Sequence, residues 1–382
     1  MSQEILNDIE LLKIMMRDMG AASSLYKPTN WWEYHQNINI PELENKGLAN
    51  IFNDPNHRII GFIGDRLRPK IATYNLNGVR LLSNKFTRRV PGWEKLLSVF
   101  SKCLTQACNY IPHTAPYRMN ADDILLLIYY FTKQIGQERN AKPLEAVQRS
   151  RIGNPVDTFE VDGRLYNFKI LQSYMYYSYA NQFVDFDNIE TVVELGSGWG
   201  SQAEVWMQLN PDVRLFLFDI SPTLYVAEQY LRSVFGNRVI SYREMREAKS
   251  LSELPGGKIY MLGSWQFELL KELKFDLFWS TRSLSEMEPD VIENYLTIAS
   301  AGADAVYLCQ TTGGARLALR KNQPGVKERV VWSDYERILE KNFNKIAEDP
   351  YFSPSQPSLR AAQGHDRYFQ FVKEAVWKRR DA

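Results

Sequence analysis

Cysteine and histidine are scarce, three and four respectively in 382 residues. Cys103, Cys108 and Cys309 are too few, and odd in number, for a disulfide framework, so a small stapled secreted module is excluded and a reducing compartment is expected. Neither sign of charge is in excess. Lys and Arg total 46 against 45 for Asp and Glu, and a net charge of +1 leaves no electrostatic footprint for nucleic acid. Long apolar runs are missing too, since the longest, Ile124–Phe131, is far short of the ~20 residues that span a bilayer. Glu4, Asp8 and Glu10 stand where a secretory signal would have a basic segment. A cytoplasmic protein without a membrane span is expected.

Aromatic side chains are plentiful, at 13%, with 21 Tyr, 19 Phe and 9 Trp. Either a core or a site for flat or sugar-like ligands could use them. Apolar residues at 45% and charged residues at 24% match an ordinary globular chain, and the length suits two or three units of about 100 to 200 residues.

Ile5, Ile9, Leu12 and Met16 recur at helical spacing and predict an amphipathic entry helix. Between Tyr26 and Pro112 repeated prolines and Asn-Gly or Gly-Asp breaks predict short helices and loops. Asp122 to Gln134 reads as a helix closed by Gly136. The polar stretch Gln137 to Pro155 then suggests a boundary, dividing a mainly helical accessory region, 1–155, from a second domain, 156–382.

After that boundary the aromatic segment Tyr166 to Phe183 predicts a helix, and strands alternate with helices. Expected strands are 191–195, 215–218, 239–242, 259–262, 275–279 and 305–310. Ser221-Pro222 suits the start of a helix running to Phe235 and stopped by Gly236, and Ser333 to Glu336 a capping box opening a helix toward Phe343. The segment 349–358 reads as a loop, and 368–372 as a late edge strand. Such alternation predicts an α/β fold, a doubly wound Rossmann-like sheet with an N-terminal helical region.

The sharpest motif is Glu194-Leu195-Gly196-Ser197-Gly198-Trp199-Gly200, where a strand passes into a helix. Its glycines suit a tight turn, close approach of a ligand, and helix packed on strand. Asp219, nineteen residues beyond Gly200, ends the next strand, where a carboxylate can accept both hydrogen bonds of a ribose diol. A dinucleotide fingerprint needs its third glycine three positions after the second, but Ser201 stands there. Glu194 beside the turn would repel a pyrophosphate and attract a cationic amino group.

With these residues the chain resembles class I S-adenosylmethionine-dependent methyltransferases. Asp219 to Leu231, Leu262 to Leu270 and Asp276 to Pro289 further resemble sugar O-methyltransferases associated with bacterial surface-glycan clusters. The resemblance implies S-adenosylmethionine as cofactor. Its amino acid end would lie on Glu194, Gly196, Ser197, Gly198 and Gly200, its ribose on Asp219, its adenine against Ile220 and near Ser264 and Trp265. It also implies methylation of a sugar hydroxyl in polysaccharide or glycolipid synthesis.

Methyl transfer to oxygen needs alignment first and a proton acceptor second. Glu286 is the preferred base, in the polar group Arg282, Ser283, Ser285 and Glu286 after the fourth main strand; His365 is the rival, and Ser283 completes the catalytic candidates. Cys103, Cys108 and His113 recur every five residues, a spacing that scatters them around a helix, so no metal is expected. Trp31, Trp32 and the Tyr-rich segment 174–179 could face a sugar ring, and Arg316 and Arg320 could meet a phosphate or carboxylate. Partners are then a small-molecule or glycan acceptor, with homo-oligomerisation open. A nicotinamide-dependent sugar oxidoreductase and a non-catalytic binding protein are the competing readings.

Overall fold

The computed structural model describes residues 4–49, 51–53, 121–320, 323–351 and 372–380. His57, His113, His365, Cys103 and Cys108 lie outside the described residues.

Helix α1, Ile9–Ala21, is capped by Asp8, whose carboxylate accepts the Leu11 N–H at 3.1 Å. Its buried face is Leu11, Leu12, Met15 and Met19, turned away from the expected Ile9 and Met16. The turn is fixed from outside: Asn7 accepts a hydrogen bond from Tyr225, and Asp8 and Asp18 pair with Arg243 and Arg246. Helix α2, Asn30–Lys46, is one continuous helix across Pro41 in a region expected to hold short pieces. It carries no apolar stripe for periodicity to reveal, because its buried residues are Gln36, Asn39 and Leu43. The Gln36 amide donates instead to the Ser221 carbonyl.

Helix α3, Ala121–Glu138, passes through Gly136 where the sequence suggested an end. The glycine is needed for packing, since a Cβ there would overlap the Tyr174 hydroxyl. A hairpin of β1, Phe159–Val161, and β2, Arg164–Tyr166, leads to helix α4, Phe168–Ala180, which is buried almost throughout.

The main sheet contains β3 (Thr191–Leu195), β4 (Arg214–Asp219), β5 (Val239–Ile240), β6 (Ile259–Gly263), β7 (Phe275–Thr281), β8 (Ala303–Thr311), β9 (Phe343–Tyr351) and β10 (Val372–Arg379). Their order is β5-β6-β4-β3-β7-β8-β10-β9, parallel from β5 to β8 and antiparallel at β10. Helices α5 (Ser201–Leu209), α6 (Thr223–Phe235), α7 (Tyr242–Met245), α8 (Pro289–Gly302) and α9 (Trp332–Leu339) complete the alternation. The fold is a doubly wound, Rossmann-like α/β sheet with helical N-terminal elements packed on it.

Strand residues alternate between two cores. Val192, Leu215, Leu277 and Trp279 join one with α4, α5 and α6; Val193, Phe216, Phe218 and Phe278 join the other with α8 and α9. Burial on both faces explains the near-continuous apolar runs.

Several local expectations need correction. The expected strand at 239–242 stops at Ile240, because Ser241 caps α7 in a reciprocal box with Glu244. Helix α6 starts at Thr223 with Pro222 in the cap position, and the buried Ser221 hydroxyl makes no cap bond. Helix α9 starts two residues early, at Trp332 with Val331 rather than Ser333 in the cap position, and the Asp334 carboxylate accepts the Val331 N–H at 2.8 Å. Of the expected late edge strand, 368–372, only Val372 is among the described residues; it opens β10, which lies inside the sheet with β9 as the edge. Strand β9 occupies residues expected to form a helix end and a loop: Pro350 sits on this edge, where a missing N–H costs no ladder bond.

Candidate functional site

Strand order reverses at β3, from which the sheet extends through β4 and β6 on one side and β7 and β8 on the other. The loops leaving β3 and β7 therefore part above the sheet, and open α/β sheets bind ligands at such a crevice. Here it is a cavity of about 430 Å³.

The three glycines after β3 all have left-handed backbone, with φ of 84°, 58° and 94° at Gly196, Gly198 and Gly200. At Gly196 a Cβ would overlap Ser283, whose hydroxyl donates to the Gly196 carbonyl at 3.3 Å, so this glycine lets the β3 and β7 loops touch. At Gly198 a Cβ would meet nothing within 4 Å, and the residue lines the cavity. Between them and the helix, the Trp199 ring is buried against the Arg149 guanidinium, 4.6 Å from its centroid. Arg149 is 1% exposed, also faces Phe52 and Tyr230, and lies 3.6 Å from Glu204.

Two acids stand at the strand ends. Asp219 Oδ2 accepts the Gly198 N–H at 3.0 Å and the Ser197 hydroxyl at 3.4 Å, while Oδ1 accepts the Ile220 N–H at 2.7 Å. Burial pushes its carboxyl up to about 7 in spite of these donors. Glu194 is 1% exposed and its Oε2 has no hydrogen-bond partner. Burial, and then the nearby Asp219 charge, push it up to about 8. Gln202, in the first turn of α5, lines the same cavity with both amide atoms buried and unpartnered. Such groups carry a desolvation penalty of roughly 1 to 3 kcal/mol unless something completes their hydrogen bonds.

Across the cavity Glu286 closes a short 3₁₀ turn, Leu284–Glu286, and is half-buried. Its withdrawal from water pushes the carboxyl up to about 8, against the lowering effect of Arg282. Thr29, just before α2, donates its hydroxyl to the Glu286 carbonyl at 3.0 Å. Trp31, Trp32 and His35 of α2 also line the cavity, so the helical N-terminal segment forms one wall. Burial, then Arg316, lower the His35 pKa.

Of the residues singled out from sequence, Glu194, Gly196, Ser197, Gly198, Asp219, Ile220, Ser264, Ser283 and Glu286 share this cavity. Gly200 sits behind the loop, where a Cβ would come within 2.8 Å of Leu231. Trp265 points elsewhere: its indole N–H donates to the Tyr242 hydroxyl at 3.1 Å, and it borders a second cavity with Asp18 and Arg246. Arg316 lines the site and Arg320 does not. His365 lies outside the described residues. Gln202, Thr29, Lys169 and Gln172 were not singled out; only Gln202, two residues beyond the glycine motif, carried a signal that could have found it.

Neither a protein-family model nor a curated protein matches the chain. Solved structures similar to it include the magnesium protoporphyrin IX methyltransferase of Synechocystis PCC 6803 with bound SAH, at 13% identity, TM-score 0.36, covering 67% of this chain and 99% of that one. The mitomycin 7-O-methyltransferase MmcR is 15% identical, with TM-score 0.33 and coverage of 55% and 57%. The pyocyanin biosynthetic protein PhzM is 14% identical, with TM-score 0.33 and coverage of 52% of each chain. The chain thus spans little more than half the length of the last two. Likenesses this distant carry no argument about chemistry, which has to come from the site.

The donor set suits a nucleoside ligand with a cationic tail. The Asp219 carboxylate keeps lone pairs for a diol after accepting its backbone N–H groups, Gly198 leaves room beside it, and unpartnered Glu194 Oε2 suits an ammonium. A second phosphate-bearing nucleotide would bring negative charge against both acids.

Proposed function

We propose that this protein is an S-adenosylmethionine-dependent O-methyltransferase that methylates a sugar hydroxyl, in the cytoplasm, during synthesis of a surface polysaccharide or glycolipid. The observation that carries the reading is the buried pair Glu194 and Asp219 around a glycine turn, one acid without a partner and the other held by backbone N–H groups. Asp219 binds the ribose diol, Glu194 and Gln202 the amino acid end, and Ile220 and Ser264 border the adenine. When bound, the cofactor supplies a methyl group already activated by a sulfonium. The chain's own work is to orient the acceptor hydroxyl and remove its proton.

Glu286 is the proton acceptor in this reading. Its raised pKa, about 8, gives it more basicity than an ordinary carboxylate, and a positioned base contributes about 10² to 10⁴ in rate. Ser283 holds the β7 loop to the glycine turn and so sets the distance between the two halves of the site. His365 remains the alternative base. Residues 1–155 act as the acceptor-covering region, with Trp31 and Trp32 offered to a ring.

Calorimetric titration with S-adenosylhomocysteine, followed by transfer from labelled cofactor to a panel of sugars and nucleotide sugars, tests the reading. Binding and labelled product are expected. Binding of NADH with no response to S-adenosylhomocysteine would overturn it in favour of an oxidoreductase.

A further inference from the structure

The cavity is lined by three acids, Glu194, Asp219 and Glu286, and by four cations, Lys27, Lys169, Arg282 and Arg316. These come from four separate segments, before α2, in the first turn of α4, after β7 and after β8, so no local sequence run accounts for their meeting. Among the described residues Lys27, Arg282 and Arg316 have no carboxylate within ion-pair distance. Arg316 lies instead 5.6 Å over the ring of Trp31, whose indole N–H is buried and unpartnered. Lys169 donates to the Gln172 amide oxygen at 3.2 Å.

Like charges gathered around one cavity repel, and a guanidinium offers a planar fork matched to a carboxylate or phosphate. The aromatic wall beside them, Trp31 with His35 at 5.4 Å, gives a ring somewhere to stack.

We propose that the acceptor is an anionic sugar, one bearing a phosphate or carboxylate that Lys27, Arg282 and Arg316 bind while its ring rests on Trp31. The proposal deepens the methyltransferase reading by naming the class of its acceptor. It needs no cofactor chemistry, however, and its test separates the two.

The test is calorimetric titration of the full chain with four probes: glucose 1-phosphate, uridine diphosphate glucose, glucuronate and neutral methyl glucoside, each with and without S-adenosylhomocysteine. At least one anionic probe should bind tenfold or more tightly than methyl glucoside, and the margin should shrink as salt rises from 50 to 300 mM, since the mouth of the cavity is screened. Preference between phosphate and carboxylate probes identifies which group is carried. Lys27→Gln with Arg316→Gln, both at exposed positions, should reduce the margin to about threefold or less with S-adenosylhomocysteine affinity unchanged. If methyl glucoside binds as well as every anionic probe, or if the double variant leaves the margin intact, the proposal is wrong. Anion binding without any response to S-adenosylhomocysteine would keep this site and remove the methyltransferase reading.

Discussion

The two ends of the cavity are built differently. At the strand ends, ligand groups come from a turn whose geometry is imposed by backbone: left-handed glycines, a carboxylate fixed by N–H groups, an acid withdrawn from water. At the mouth they are side chains from distant segments, several of them exposed, resting on aromatic rings. The first end fixes one ligand tightly through position and desolvation; the second selects by charge and can drift in sequence without disturbing the sheet. A fault at the inner end should therefore abolish cofactor binding or turnover, while a fault at the mouth should only shift which acceptor is preferred.

The largest effect should come where the two ends meet. Glu286→Gln keeps the shape of the side chain and removes its basicity, so kcat should fall by about 10² to 10⁴ with S-adenosylhomocysteine affinity unchanged. Steady-state kinetics on the first acceptor identified checks this. A variant with full turnover would transfer the role to His365.

Gly196→Ala ranks next. Its φ of 84° and the Ser283 side chain both oppose a methyl group, so the loop must open from β7. Cofactor affinity should fall at least 100-fold and the melting temperature should drop. Gly198→Ala sharpens the contrast: a methyl there meets no protein atom within 4 Å, so strain of about 1 to 2 kcal/mol is the only folding cost, but ligand space is lost. Affinity without collapse of stability should be what changes.

A pH effect should also separate the ends. Glu194 is pushed up to about 8 and Asp219 to about 7, so at pH 6 both are largely protonated; affinity for S-adenosylhomocysteine should rise about tenfold or more between pH 6 and 8, and the rise should be smaller, but not abolished, in Glu194→Gln, where Asp219 still titrates. Stability without ligand runs the opposite way. The folded state holds this proton more tightly than the unfolded chain, so the contribution is full below the unfolded pKa near 4.5 and is lost as pH rises through about 8. Thermal unfolding across that window should show the decline. Trp265→Phe should have the smallest effect, under about threefold on cofactor affinity, because the ring belongs to the neighbouring cavity.

The same division explains what could be read from sequence. The parallel strands were legible since burial on both faces writes Val192-Val193 or Phe216-Leu217-Phe218 as unbroken apolar runs, and the inner site was legible because one short segment carries its turn. The mouth was not. Thr29, Lys169 and Arg282 are separated by more than a hundred residues and meet only through the fold. Helix α2 hid its extent behind a polar buried face of Gln36 and Asn39, and Gly136 suggested a helix end where it serves the approach of Tyr174. Arg149 lay in a polar stretch suggestive of a linker, yet its cation is sealed among Phe52, Trp199 and Tyr230; no local pattern distinguishes a solvated arginine from one stacked on three rings.

The central claim is that the glycine turn and Asp219 hold an adenosyl ligand. Titration of wild type and Asp219→Ala with S-adenosylhomocysteine measures it directly. Binding by the wild type, weakened in the variant by about 1 to 3 kcal/mol, roughly 5- to 150-fold, is the predicted result for loss of a buried charged hydrogen bond. Absence of binding, or equal affinity in a folded variant, would contradict the account.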